Sequence, residues 1–281
     1  ELMKRIEPRW LMVGVAIAAL LALMHPDLLS SGAGSGGASE FRRFFAAAAS
    51  PTMTSESEQK LSLMPAVLDA IRHTVTIAMA AMSLAIGIGL LLGAMASRAV
   101  WESDSAVYAS RLERFCQRVA GPAIRGGIRF VLAVFRSVHE LVWALIFCGL
   151  FGVNTLSGIF ALAVPYAATL GRLYAEILDE TPMSAAAAVR TAGGGSFQVL
   201  TLGLLPRAAP QILSYTFYRF DCAIRSSAVL GFVGLPTLGL EVRSAFNYDH
   251  YSEVWTWLYI LFGLLVMFEL AGGVVRRRLK P

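Results

Sequence analysis

The feature that most constrains this chain is a run of 23 residues without a charge, from Thr74 to Ala96. Wound as a helix at ~1.5 Å per residue, it covers the roughly 30 Å of hydrocarbon in a bilayer. It is one of several such runs. Others cover Trp10–Leu23, about Ile128–Leu150, Leu156–Leu178, Ala208–Phe232 and Trp255–Val275. With 56% hydrophobic and only 15% charged residues, the chain is far less charged than an ordinary soluble domain. The reading is an all-α polytopic membrane protein with about six transmembrane helices.

The charges support that reading. Net charge is +5, but the basic residues flank the apolar runs, so they speak for membrane topology and not for nucleic acid. With six spans, sixteen Lys and Arg fall on the side of the termini and five on the other. Both termini are therefore expected in the cytoplasm of a bacterial inner (plasma) membrane. Trp255 and Trp257 are then expected at the outer interface. Cys116, Cys148 and Cys222 and the four histidines are too scattered for a disulfide framework or a metal site.

The first run follows Lys4, Arg5 and Arg9, and it reads as a retained span and not a cleaved leader. Gly32–Gly37 is too poor in apolar surface to order itself, whereas Phe41–Phe45 suits a short interfacial helix. We divide the chain into residues 1–66, a first span with its periplasmic Gly/Ser-rich loop, and a core domain, 67–281. Gly87, Gly89 and Gly93 give the second run close-packing positions, and the four-residue spacing of Gly89 and Gly93 is either a helix-contact face or ordinary glycine background.

Between the fourth and fifth runs lies "TPMSAAAAVRTAGGGSFQVLTLGLLP", residues 181–206. Pro182 suits the first turn of a helix, the alanines favour helix, and Gly193–Gly195 end it. A second short helical piece follows from Ser196. This loop is either packed against its own bundle or a docking surface for a cytoplasmic partner.

The loop resembles the pattern E-A-A, three residues, G, nine residues, I, one residue, L-P of type I ABC importer membrane subunits. Gly193, Leu205 and Pro206 stand on its Gly, Leu and Pro. Ala187, Ala188 and Val189 stand on E-A-A, so the glutamate is missing, and Gly203 stands on the Ile. The resemblance implies that coupling helices here, with Ala187, Ala188, Arg190, Gly193, Phe197, Leu205 and Pro206, sit in a groove on an ATPase subunit. Within that superfamily, "FRSVHELVWALIF" (135–147), "GRLYAEILDE" (171–180) and "SYTFYRFDCAIRSSAVLGFVG" (214–234) are similar to phosphonate permeases. His139 replaces a Pro, Asp221 a Glu and Ala223 an Asn, and "LPTLG" departs from A-G-G-I-G. The similarity runs from about Thr74 to the C-terminus.

The resemblance implies phosphonate, phosphite or hypophosphite as cargo. The implied partners are a second permease subunit (a like copy or a sister), two ATPase subunits and a periplasmic or lipid-anchored binding protein. ATP and Mg belong to the ATPases, and this chain holds no cofactor, metal or P-loop. The alternatives are an importer permease for another small solute such as an amino acid, or a membrane enzyme acting on lipid phosphates. A plain membrane anchor is disfavoured by charged spans.

Those charges are the sharpest local signal. A single charge facing lipid costs about 2.5–3.5 kcal/mol. Arg219, Asp221 and Arg225 all lie in one apolar run, and Arg136, His139 and Glu140 interrupt another. Asp221 and Arg225 are four apart and can pair. Arg219 lies about 160° round the axis from Asp221 and needs another partner, for which Glu140 and Glu176 are candidates. Either these groups tie the bundle together, or Arg136, Arg219 and Arg225, with His139, Glu140 and Asp221, line an anion pathway. Gly231, Gly234 and Gly239, around Pro236, suit a bent or re-entrant segment and are gating candidates.

Overall fold

The computed structural model describes residues 35–54, 63–98 and 121–279. The run Trp10–Leu23, residues 55–60 of the loop to Lys60, and the basic stretch from Ala99 to Ala120, with Cys116, lie outside the described residues. The chain divides into two units, Glu1–Pro51 and Thr52–Pro281.

The described part of the first unit is helix α1, Ser35–Ala47. Gly36 and Gly37 lie in its first turn, so this end of the Gly/Ser-rich stretch is helical and not unstructured. The cause lies downstream, because a helix once nucleated extends cheaply into its neighbours. The Phe41 and Phe45 rings are 4.6 Å apart, and Arg43 bonds Glu40 at 2.8 Å.

The second unit is all helical among its described segments apart from short turns. Helix α2, Met64–Ala96, opens with a proline in its first turn, where no N–H is needed. Helices α3, Gly121–Ser137, and α4, Glu140–Phe151, follow. Helix α5, Thr155–Glu180, is central and packs on α2, α3 and α4. The Asn154 side chain caps it by accepting from the Ser157 N–H at 3.0 Å. Pro165 lies inside α5, and the Thr169 hydroxyl bonds the Pro165 carbonyl at 2.9 Å. Helix α6, Ser184–Thr191, a short turn at Ser196–Gln198 and a π-helical segment, Val199–Leu204, lead into α7, Leu205–Val229. A 3-10 turn, Leu230–Val233, precedes α8, Leu238–Asn247, and α9, Tyr251–Leu279, ends the unit.

Helices α2, α5 and α9 are each long and apolar enough to cross a membrane. The α3–α4 pair and the α7–α8 pair each qualify as one bent span, which makes three to five spans among the described residues. The expected single span over 128–150 is therefore corrected to two helices meeting at 88°. The break has a local cause. His139 takes an extended conformation, and its Nδ1 accepts from the Leu141 N–H at 3.3 Å. The Trp143 indole N–H then donates to the Phe135 carbonyl on the other side of the bend, at 3.3 Å.

The α2–α5 contact decides the glycine question. Small residues recur every four positions along α2 at Ala81, Ala85, Gly89 and Gly93, and all are buried. A Cβ on Gly93 would lie 2.9 Å from the Gly171 carbonyl and 2.9 Å from the Tyr174 Cβ. A Cβ on Gly89 would lie 3.0 Å from the Leu170 Cβ. Gly87, by contrast, faces open space, so it is not part of the contact face. Trp257 also departs from expectation. It is 2% exposed, so its indole packs inside the protein and not against lipid.

The helix ends are held by a polar node that sequence reading missed. Asp179 accepts from the Ser97 hydroxyl (2.7 Å), the Arg98 N–H (2.6 Å) and Arg129 Nη2 (2.8 Å). Arg129 Nε also donates to the Ala96 carbonyl at 3.1 Å. One carboxylate thus joins the ends of α2 and α5 to α3.

Two outcomes test this packing. Gly93→Leu should cost about 1–3 kcal/mol by overpacking, while Gly87→Leu should be near neutral. Thermal unfolding of the purified chain in detergent compares the two, and equal midpoints would contradict the close contact. Asp179→Ala should lose about 2 kcal/mol by stranding the buried Ser97 hydroxyl and the half-buried Arg129, read by the same melt.

Candidate functional site

The α3–α4 break, the Pro165 region of α5 and the second half of α7 surround a cleft of about 520 Å³. Arg136, His139 and Glu140 line it from the break, Tyr166 and Thr169 from α5, and Arg219, Cys222, Arg225 and Ser226 from α7. Residues 136–140 and 219–226 are far apart in sequence, and the bend in one helix pair brings them to a common face. Asp221 is absent from the lining. It pairs with Arg225 at 3.4 Å, and its Oδ1 is buried without a hydrogen-bond partner. Arg225 is 61% exposed, so this pair adds little stability.

The expected partners of Arg219 are both otherwise engaged. Glu176 bonds Arg172 at 2.8 Å. Glu140 accepts from the Ser226 hydroxyl at 2.6 Å. Arg219 instead donates from Nε to the Tyr215 hydroxyl at 2.9 Å. Its guanidinium lies 5.3 Å from the Tyr215 ring centroid and 5.8 Å from that of Tyr218. Helical spacing explains the Tyr215 contact, since Tyr215 lies one turn before Arg219 on its own face, while Tyr218 is the preceding residue. Aromatic faces stabilise the cation without cancelling its charge. Neither Arg219 nor Arg136 forms an ion pair among the described residues. The lining therefore holds three guanidiniums and one carboxylate, Glu140. The aromatic support of Arg219 was readable as a tyrosine spacing in "SYTFYR", but sequence reading looked only for carboxylates.

A second hydroxyl link sets the height of α7 against α5. Tyr174 and Thr216 are joined at 2.6 Å, and the Tyr166 hydroxyl lies 3.2 Å from that of Ser226.

The loop 181–206 forms two helical pieces about a glycine elbow, as expected. Helix α6 begins at Ser184, two residues after Pro182, and Met183 precedes its first turn. Gly193 takes a left-handed φ of 84°, and the Gly193 and Gly194 N–H groups cap the carbonyls of Arg190 and Val189 at 2.9 Å each. A Cβ at Gly203 would stand 3.0 Å from the Ala186 Cα, so the π-helical segment and α6 touch backbone to backbone. Their outer side presents Ala187, Ala188, Phe197 (77% exposed) and Leu202 (68% exposed). Arg190 and Leu205 are half-buried, and Pro206 is exposed at the start of α7. Ala187, in place of the glutamate, is exposed.

Of the three further glycines, Gly231 and Gly239 are packing points around the bent segment. A Cβ on Gly231 would collide with Gly239 and the Leu240 nitrogen, and one on Gly239 with the Ala228 carbonyl. Gly234 has a left-handed φ of 99°. Thr74 of α2 pins the crossing, accepting from Ser227 through its carbonyl and from the Leu238 N–H through its hydroxyl, each at 3.0 Å. Among the described residues no cluster of His, Cys, Asp and Glu has a metal-binding arrangement.

Known proteins share both sequence and fold with this chain. It is similar to the phosphite transport system permease protein PtxC of Stutzerimonas stutzeri, at 30% identity over 159 residues, covering 57% of this chain and 58% of that one. It is similar to the phosphate-import permease protein PhnE of Mycolicibacterium smegmatis, at 29% identity over 156 residues, covering 56% of this chain and 29% of that one. The chain thus spans less than two thirds of the length of these relatives. Among solved structures, a chain of the MetNI methionine ABC transporter in an inward-facing conformation superposes with a TM-score of 0.64 at 19% identity, over 78% of this chain and 98% of that one. A chain of an amino acid ABC transporter gives 0.59 at 18% identity, over 76% and 94%. At these identities the shared property is the fold. The family of binding-protein-dependent transport system inner membrane components matches residues 105–278, which takes in the cleft, the loop and the bent glycine segment. This chain belongs to that family, one of membrane transport components and not of enzymes.

Proposed function

We propose that this chain is the permease subunit of an ATP-driven importer that moves phosphonate or a related phosphorus oxyanion. The observation that carries the reading is the convergence of Arg136, Arg219 and Arg225 on one cleft, where a single carboxylate faces them. A phosphorus oxyanion must shed water to cross, and guanidiniums replace that water with charge-assisted, planar hydrogen bonds. The names of the phosphite and phosphate permeases to which the chain is similar support the same cargo class. A pathway must also release what it holds, so tight recognition belongs to a separate binding protein.

In this reading the core, 67–281, works as a pair, with a like copy or a sister subunit completing the pathway. Six spans, counting 10–23, put both termini in the cytoplasm. Two ATPase subunits, holding ATP and Mg, grip the 181–206 loops through Ala187, Ala188, Phe197 and their neighbours Arg190, Gly193, Leu205 and Pro206. Closure of the ATPases draws the loops together and opens the pathway outward. Hydrolysis then resets it inward. Gly231, Gly234 and Gly239 form the stiff corner about which α7 and α8 gate the outer end.

Uptake by the assembled transporter in proteoliposomes tests the cargo. Arg219→Gln and Arg136→Gln should each cut phosphite uptake about tenfold or more, the loss expected for one unmade charged hydrogen bond. Uptake of phosphite at the wild-type rate in both variants would remove the anion pathway. For the loop, Ala187→Cys and Phe197→Cys should cross-link to the ATPase subunit, whereas a cysteine at exposed Tyr248 should not. Equal labelling at all three positions would refute the docking assignment.

A further inference from the structure

Three arginines would be enough to draw any small anion into the cleft, and they account for no choice among anions. Guanidinium groups only donate, so they take sulfate as readily as a hydrogen phosphonate. Glu140 breaks that symmetry. It lines the cleft, yet it bonds none of the three arginines, so it is not present to neutralise one of them. An acceptor placed where an anion passes repels any ligand that has only acceptors to offer.

The hydrogen bonds around Glu140 run in one direction. Ser226 donates its single hydroxyl proton to Glu140 Oε1 at 2.6 Å. The Tyr166 hydroxyl, 3.2 Å from Ser226 Oγ, must then be the donor in that contact. Protons are therefore ordered from Tyr166 to Ser226 to Glu140, and the series ends on a carboxylate. Ser226 is the only hydrogen-bond partner of Glu140 among the described residues, so Oε2 has none there. Glu140 is also the first residue of α4, held at the 88° break, and Ser226 is fixed on α7. The carboxylate is thus anchored from two elements while one oxygen is left for a donor.

We propose that Glu140 is the specificity-determining residue of the cleft: it accepts the acidic hydroxyl proton of a partly protonated tetrahedral oxyanion, and so admits a hydrogen phosphonate while turning away anions without such a proton. The inference rests on the anion-pathway reading above and deepens it. The arginines provide attraction to any anion, and Glu140 reads the protonation state. A site built to pair with a hydroxyl discriminates strongly against the analogue that lacks it.

The test uses the permease assembled with its ATPase subunits in lipid nanodiscs, without the binding protein. Phosphorus NMR line broadening measures weak binding of two probes, methylphosphonate and dimethylphosphinate. At a mildly acidic pH, below the second ionisation of methylphosphonate, both are tetrahedral monoanions. They differ in that one carries a hydroxyl where the other carries a methyl group. Sulfate is added as a competitor. The wild type should bind methylphosphonate at least about tenfold more tightly than dimethylphosphinate, and sulfate should compete poorly. Glu140→Gln should bring the two probes within about twofold and let sulfate compete, because the amide both donates and accepts. Ser226→Ala, which leaves the carboxylate but frees its orientation, should lower the preference several-fold.

Equal binding of the two probes to the wild type would overturn the assignment, as would an unchanged preference in both variants. If that equal binding still falls in Arg219→Gln, the anion pathway survives and only the role of Glu140 is lost. If neither probe binds the wild type, the pathway reading fails and the assignment falls with it.

Discussion

The close approach of α2 and α5 is the constraint on which the rest of the structure depends. Gly89 and Gly93 bring α2 within contact of the Gly171 backbone, a distance that any side chain would prevent. In lipid, apolar surface alone does not drive helices together, and close backbone packing takes over that role. With α2 fixed, Thr74 holds the α7–α8 corner, and the Asp179 node closes the opposite end. Helix α5 then serves as the post against which α3, α4 and α7 are set.

That post decides where charge can exist inside the bundle. Tyr174 and Tyr166 on α5 reach hydroxyls on α7, so the α7 arginines are set at a definite height and rotation. Pro165 and the α3–α4 break leave the space that becomes the cleft. An intramembrane charge is tolerable when it faces such a space or meets a partner. Arg219 illustrates the solution. It rests on Tyr215 and Tyr218, which stabilise the cation while leaving its charge available to the cleft.

The loop obeys a different physics. Its glycine elbow and the backbone contact between Gly203 and Ala186 make a stiff two-piece unit. Phe197 and Leu202 stay outside that unit, so its apolar face points away from the bundle that carries it.

Much of this was legible in the sequence, because hydrocarbon thickness and the cost of bare charge are one-dimensional constraints. Apolar run lengths marked the helices, the loop spacing marked the elbow at Gly193, and the charges of "FRSVHE" and "SYTFYRFDCAIR", Asp221 excepted, marked residues that line the cleft. The four-residue spacing of Asp221 and Arg225 was enough to pair them. What only the tertiary structure decided were matters of direction and distance. The spacing of Gly89 and Gly93 suggested a contact face, but only the fold shows that α5 is the helix they touch and that Gly87 faces open space. Sequence read 128–150 as one span, since an 88° break depends on His139 leaving the helix and Trp143 capturing a carbonyl across the bend. It offered carboxylates to Arg219, while the fold supplied tyrosines and gave Glu140 to Ser226. Pairing across a bundle depends on the rotation of each helix about its axis, and no linear spacing encodes that rotation between helices.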